Sequence, residues 1–191
     1  AGARVLVDAA QSVGQRNVNI EDWNADFVAG TGHKWLLGPW GAGFVYVAEP
    51  AELESPRIGY RGVEDANAAS YEYVDNARRL ELATTSAATY AGLAEAVETM
   101  RGLGLDAVEE RIARLTDRLK DGLERSDATL LSPRNYESGL VSFDVADPEK
   151  TVERLAENGV KVRTLPYPNV VRASVHAFNT AEDIDALLTY L

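Results

Sequence analysis

Asp8, Gln11, His33 and Lys34 are the side chains whose types and spacing could do chemistry together. Asp8 closes the apolar run Val5-Leu6-Val7 and so falls at the C-terminal end of a predicted strand, where open α/β sheets collect their ligands. Gln11 follows in the next turn. Lys34 comes 26 residues after Asp8 (34 − 8), in a glycine-flanked loop behind the next strand. A lysine in a backbone-lined loop can form a Schiff base with an aldehyde cofactor. A carboxylate facing it can keep a pyridine nitrogen protonated, which makes pyridoxal 5'-phosphate (PLP) an electron sink. The Thr31 hydroxyl and the His33 imidazole could bind a phosphate nearby. Each residue also has a plainer role open to it: Asp8 as a cap of the following turn, Gln11 as a solvated amide, His33-Lys34 as part of a surface loop. Spacing alone does not decide between them.

The elements that must position these residues have α/β spacing. Residues 4–8, 26–30 and 43–47 read as strands, and the glycines and proline of 31–42 read as an irregular loop. Residues 49–78 are polar, rich in turn formers and without periodicity. Helical spacing begins at 87, with Ser86 as N-cap, and Gly102 and Gly104 are expected to break that helix. Residues 105–125 form a second helix with Leu105, Val108, Ile112, Leu115, Leu119 and Leu123 on one stripe. Strands then follow at 129–131, 139–145, 160–164 and 170–176, with helices at 148–158 and 181–191, a small α+β unit.

The chain has 191 residues and no cysteine, which excludes a disulfide framework, a thiolate metal site and a cysteine nucleophile within it. No metal site is expected. Asp and Glu total 30 against 19 Lys and Arg, a net charge of −11, and no basic patch is set apart; nucleic acid and anionic membranes are therefore not expected partners. Acid-rich, lysine-poor composition fits a protein of a high-salt (halophilic) cytoplasm, where salt screens charge repulsion. An ordinary acidic cytoplasmic protein fits it as well, and either way the expectation is cytoplasmic. A start at Ala1-Gly2-Ala3 that leads directly into a central strand suggests a fragment or processed chain whose N-terminal portion is missing.

The string VLVDAAQSVGQRNVNIEDWNADFVAGTGHKWLLGPWGAGFVYV resembles the core of the class V aminotransferase family, the PLP-dependent group with cysteine desulfurases, isopenicillin-epimerase-like enzymes and cysteine C–S lyases. It carries D-x-x-Q-x-x-G, then G-H-K, then G-P-x-G-x-G. RRLELATTS resembles a degenerate form of a further family segment, with Ala83 where glycine is usual. VRASVHAFNTAEDIDALLTYL resembles the family's ending. The resemblance implies the second half of a fold-type-I PLP-dependent transferase large domain over 1–85, and a small α+β C-terminal domain with a linking helix over 86–191. It implies Lys34 as the catalytic residue, with Asp8, Gln11, Thr31, His33 and Thr84 at the cofactor, Gln11 beside its phenolic oxygen and Thr31 and His33 at its phosphate. Thr84 would reach the cofactor phosphate of the neighbouring subunit of a homodimer. Arg172 would grip the carboxylate of a small amino-acid substrate, bidentately as a guanidinium fork does.

Two departures bear on the reaction. Desulfurases carry a sulfur-accepting cysteine shortly before the substrate arginine, and Val162-Arg163-Thr164-Leu165-Pro166-Tyr167-Pro168-Asn169 has no thiol. The expected reaction is accordingly C–S lysis or transamination rather than thiol-dependent desulfuration. The family's greater length also leaves open a non-catalytic C-terminal fragment or interaction module without a complete cofactor site.

Overall fold

The computed structural model describes residues 2–191, Ala51 by its backbone alone. The chain divides into two compact units, Ala1–Gly102 and Leu103–Leu191. The division falls at the end of the helix expected to link the two parts, not before it: that helix packs within the first unit, where Leu93 is buried against Leu36 and Ala42.

In the first unit, β1 (Leu6–Asp8), β2 (Phe27–Thr31) and β3 (Gly43–Val47) form a sheet in that order, β1 parallel and β3 antiparallel to the central β2. Val28 is fully buried in β2 and packs with Ala9 and Ala25 on one face. Asp8 lies opposite Ala29, and Ala29 shares a face with Thr31 two residues on, so Asp8 and Thr31 stand on the other face of the sheet. The Asp26 carboxylate fixes the start of the sheet by accepting from Arg4 Nη1 (2.6 Å) and from the Val5 N–H (2.7 Å).

The stretch without periodicity is organised by a buried cation. Arg79, 6% exposed on the 3-10 turn Ala77–Leu80, donates to the carbonyls of Pro50 (2.7 Å), Leu53 (2.9 Å) and Val74 (3.0 Å). Its guanidinium also lies over the Tyr73 ring at 5.3 Å. Helix α1 (Ala87–Leu103) follows, its Thr89 N–H donating to Ser86 Oγ (3.3 Å) as an N-cap requires. The expected break at Gly102 is not there. A helix accommodates an interior glycine at about 1 kcal/mol, and the chain leaves helical geometry at Gly104, whose φ is +84°.

The second unit packs α2 (Leu105–Leu123), α3 (Pro148–Glu157) and α4 (Ala181–Tyr190) against an antiparallel sheet. Its strands β4 (Thr129–Leu130), β5 (Leu140–Asp144), β6 (Arg163–Pro166) and β7 (Asn169–Ser174) are ordered β4-β5-β7-β6. The stripe of α2 is buried from Val108 onward and half-buried at Leu105, with Leu119 and Leu123 fully buried beside Phe143 and Leu155. Asp147 caps α3 by accepting from the Lys150 N–H, with Pro148 in the first turn, and Thr180 and Asp183 form a reciprocal capping box at α4.

The strand expected at 160–164 begins later, at Arg163. Helix α3 ends in a Schellman motif: the Gly159 N–H donates to the Ala156 carbonyl (3.0 Å) and the Val160 N–H to the Leu155 carbonyl (2.9 Å), with Gly159 at φ +80°. Val160 is thus committed to closing the helix and cannot open a strand.

Candidate functional site

At the C-terminal edge of the parallel pair β1–β2, the chain turns twice, and the two turns carry the candidate residues. After β1, Asp8 is exposed and its Oδ1 accepts from the Ala10 N–H (3.0 Å). The turn-capping role and the open position therefore coexist, since the contact occupies one side of one oxygen and a carboxylate has about four acceptor sites.

Gln11 is half-buried, not a solvated amide. Its Oε1 accepts from Trp35 Nε1 (2.8 Å), and its backbone carbonyl accepts from the Gln15 side chain. An indole N–H only donates, so the contact settles which end of the amide is the oxygen and leaves the Gln11 amino group as a donor. Gly14 makes the approach possible. It sits at φ +99°, and a Cβ there would lie 2.5 Å from the Trp35 carbonyl carbon.

After β2 comes the loop with Lys34. The Gly38 N–H donates to the Gly32 carbonyl (2.8 Å) and the Gly32 N–H to the Ala42 carbonyl (2.9 Å), which close the loop at its base. At its tip Trp35 and Leu36 turn inward, 5% and 6% exposed, while Lys34 is exposed. The two buried side chains thus anchor the loop and present the amine to the outside. Leu37 follows in the left-handed region, φ 59°, a conformation that costs a non-glycine residue about 1–2 kcal/mol. Backbone strain of that kind concentrates at ligand sites.

His33 is stacked on Trp40, ring centroids 4.1 Å apart and planes 17° from parallel. The Thr31 hydroxyl is buried and has no hydrogen-bond partner. A buried hydroxyl left so costs about 1–3 kcal/mol, which a ligand acceptor or donor arriving there would offset.

Thr84 is exposed and its hydroxyl is bonded to that of Tyr60 in the same unit. Arg172 belongs to the second unit, on β7, half-buried, with its Nε buried and unpartnered. Burial holds its guanidinium below the ordinary arginine pKa, and the nearby Arg163 cation pushes the same way. The structure thus brings Asp8, Gln11, Thr31, His33 and Lys34 to two adjacent turns of one sheet edge. Among the described residues, no group of His, Asp and Glu is placed to hold a metal ion, and no helix is long and apolar enough to cross a membrane.

Trp35 escaped the sequence reading. Its signal was a bulky indole directly after a lysine in a glycine-rich loop. Such a ring is buried for its area, and a buried indole N–H needs an acceptor.

The family model described as Aminotransferase class-V matches residues 1–187. A probable cysteine desulfurase of Pyrococcus abyssi is 32% identical over 207 aligned positions, covering 100% of this chain and 52% of its own length. The solved cysteine desulfurase of Thermococcus onnurineus NA1 superposes with a TM-score of 0.90 at 31% identity, over 98% of this chain and 51% of that one. The cystine C–S lyase C-DES, solved with its product cysteine persulfide, gives 0.89 at 30% identity, over 97% of this chain and 51% of that one. A variant of the same lyase holds glycine covalently linked to its PLP cofactor. The chain spans about half the length of the curated relatives it matches.

Proposed function

Because the chain belongs to the class V aminotransferase family, we propose that the whole protein is a PLP-dependent enzyme that breaks the C–S bond of a small sulfur amino acid. The carrying observation is the lysine loop. Lys34 is held outward by two buried neighbours, on the same sheet edge as the Asp8 carboxylate, in the loop that follows Thr31 with its buried, unpartnered hydroxyl. That set fits a cofactor with an aldehyde, a basic ring nitrogen and a phosphate.

PLP, when bound, supplies an electron sink for the pair left at Cα. Lys34 would hold the cofactor covalently, and its amine, when free, would take the Cα proton as general base. The Asp8 carboxylate would pair with the ring nitrogen. Gln11, its oxygen engaged by Trp35, would offer its amino group to the phenolic oxygen. Thr31 and His33 would hold the phosphate, and Arg172 would take the substrate carboxylate. Thr84 would serve the site of a second copy in a homodimer.

C–S lysis is preferred to desulfuration because the chain has no cysteine to accept sulfur. Elimination needs none: the Cα proton would go to Lys34 and the β-sulfur would leave with the C–S bonding pair, as a persulfide from cystine or as sulfide from cysteine, the carbon skeleton ending with water as pyruvate and ammonia. Borohydride reduction of the whole protein with PLP, followed by peptide mapping, tests the reading. A pyridoxyl group on Lys34, absent from Lys34→Ala, is the expected result, with pyruvate released from cystine or cysteine. An unlabelled Lys34 overturns the assignment and leaves a non-catalytic module.

A further inference from the structure

The two histidines of the chain are oriented in different ways. His176 is buried, and its Nδ1 accepts from the Ala177 N–H (2.8 Å), so a hydrogen bond helps fix its ring, with Phe178 stacked on it at 4.6 Å. His33 is half-buried, and among the described residues its ring makes no hydrogen bond. What holds it is the parallel Trp40 indole at 4.1 Å.

Burial does not explain where Trp40 sits. It is 79% exposed, whereas Trp35 of the same loop is enclosed and spends its N–H on Gln11. Among the described residues, His33 is the one aromatic or hydrogen-bonding partner of the Trp40 side chain. The backbone puts the indole there. The Gly38 N–H is tied to the Gly32 carbonyl (2.8 Å). Pro39 has a fixed φ and seats against α1, where a Cβ on Gly92 would lie 3.2 Å from the Pro39 Cγ. Gly41 then takes φ +86°, a conformation open to glycine, and turns the chain into β3. Residue 40 is thus carried on a short segment fixed on both sides. It also occupies an unspecified place of G-P-x-G-x-G, so the motif that marks the loop does not account for the indole.

The stack covers one face of the imidazole and leaves its edge, where both nitrogens lie. An imidazole N–H donates in the plane of its ring, so fixing the plane fixes the directions in which it can donate. A donor aimed in advance costs a ligand less to order on binding. The reading above places His33 at the cofactor phosphate, and this step rests on that reading. We infer that Trp40 is a positioning residue for the phosphate: its indole holds the His33 imidazole in one plane, so that the donor is aimed before the phosphate arrives.

Calorimetry on the whole protein freed of cofactor tests this by comparing PLP with pyridoxal, which has the same ring and aldehyde and no phosphate. Trp40→Ala is expected to weaken PLP about 3- to 10-fold, the worth of one side chain ordered in advance, and to leave pyridoxal within about twofold. Trp40→Phe keeps a ring to stack and should recover most of the loss. On a His33→Ala background, Trp40→Ala should cost PLP nothing further, because two residues acting as one unit are not additive.

PLP and pyridoxal weakened alike would mean that the indole serves only the packing of the loop. A further loss on the His33→Ala background would mean that it acts without His33, and unchanged PLP affinity in Trp40→Ala would mean that His33 needs no aiming. Each of these overturns the inference. Because Trp40 is exposed, its truncation is expected to leave the fold intact. An unlabelled Lys34 in the parent protein would sink the proposed function, whereas a labelled Lys34 with unchanged PLP affinity in Trp40→Ala would sink this inference alone.

Discussion

In Leu103–Leu191 a large apolar cluster gathers around Leu119, Phe143 and Leu155, all fully buried. In Ala1–Gly102 the buried groups are smaller and separate, Ala9–Ala25–Val28 at the sheet and Leu36–Ala42–Leu93 at the lysine loop, and a buried arginine ties the intervening segment together. The second unit is held by area removed from water, which is non-directional. The first relies more on hydrogen bonds of fixed geometry, and the candidate chemistry sits there because such bonds can aim a side chain. Truncating apolar groups should therefore injure the second unit most, while changing single donors should alter the first.

The largest effect is expected from Phe143→Ala, which removes a fully buried ring from the cluster. It should cost about 3–5 kcal/mol, read as a lower urea midpoint for hydrogen-exchange protection in the second unit while protection in the first is retained. A parallel loss in both would erase the contrast. Next comes Arg79→Met, which keeps length and removes the donors to Pro50, Leu53 and Val74. Orphaned carbonyls and lost charged bonds should cost about 2–3 kcal/mol, with exchange rising across 49–82 and little change in the second unit.

Those two segments also show what could be read from the sequence. The leucine stripe of α2 recurs at helical spacing, and its core face was legible because burial and periodicity are the same signal. The 49–82 segment has no period, since its organiser is one long side chain reaching three distant carbonyls. The site divides likewise. Asp8, Gln11, Thr31, His33 and Lys34 stand out by motif and meet at one sheet edge, yet the indole that turns Gln11 depends on a pairing across the fold. The start of β6 was misplaced because the end of α3 spends the Val160 N–H on a helical carbonyl.

A smaller effect separates aim from stability. Trp35→Phe keeps the buried ring and deletes only the donor to Gln11, at a cost of about 1 kcal/mol in urea unfolding. Its PLP affinity in the whole protein should fall several-fold all the same, because the amide is free to flip. Unchanged affinity would show that Gln11 needs no holding. The smallest effect, and of opposite sign, belongs to Leu37→Gly. Releasing a left-handed leucine that is already 47% exposed should raise stability by about 0.5–1 kcal/mol, measured as a higher Tm. A lower Tm would mean that the leucine side chain, not the backbone, governs the loop tip.

The stacked pair of His33 and Trp40 gives the molecule an optical handle. Trp40 is 79% exposed and Trp35 is 5% exposed, so their emissions should separate, the solvated indole to the red of the enclosed one. A ring at 4.1 Å is close enough for a charged imidazole to quench its neighbour. The red component should therefore report in real time, without a label, whenever a ligand disturbs the stacked pair.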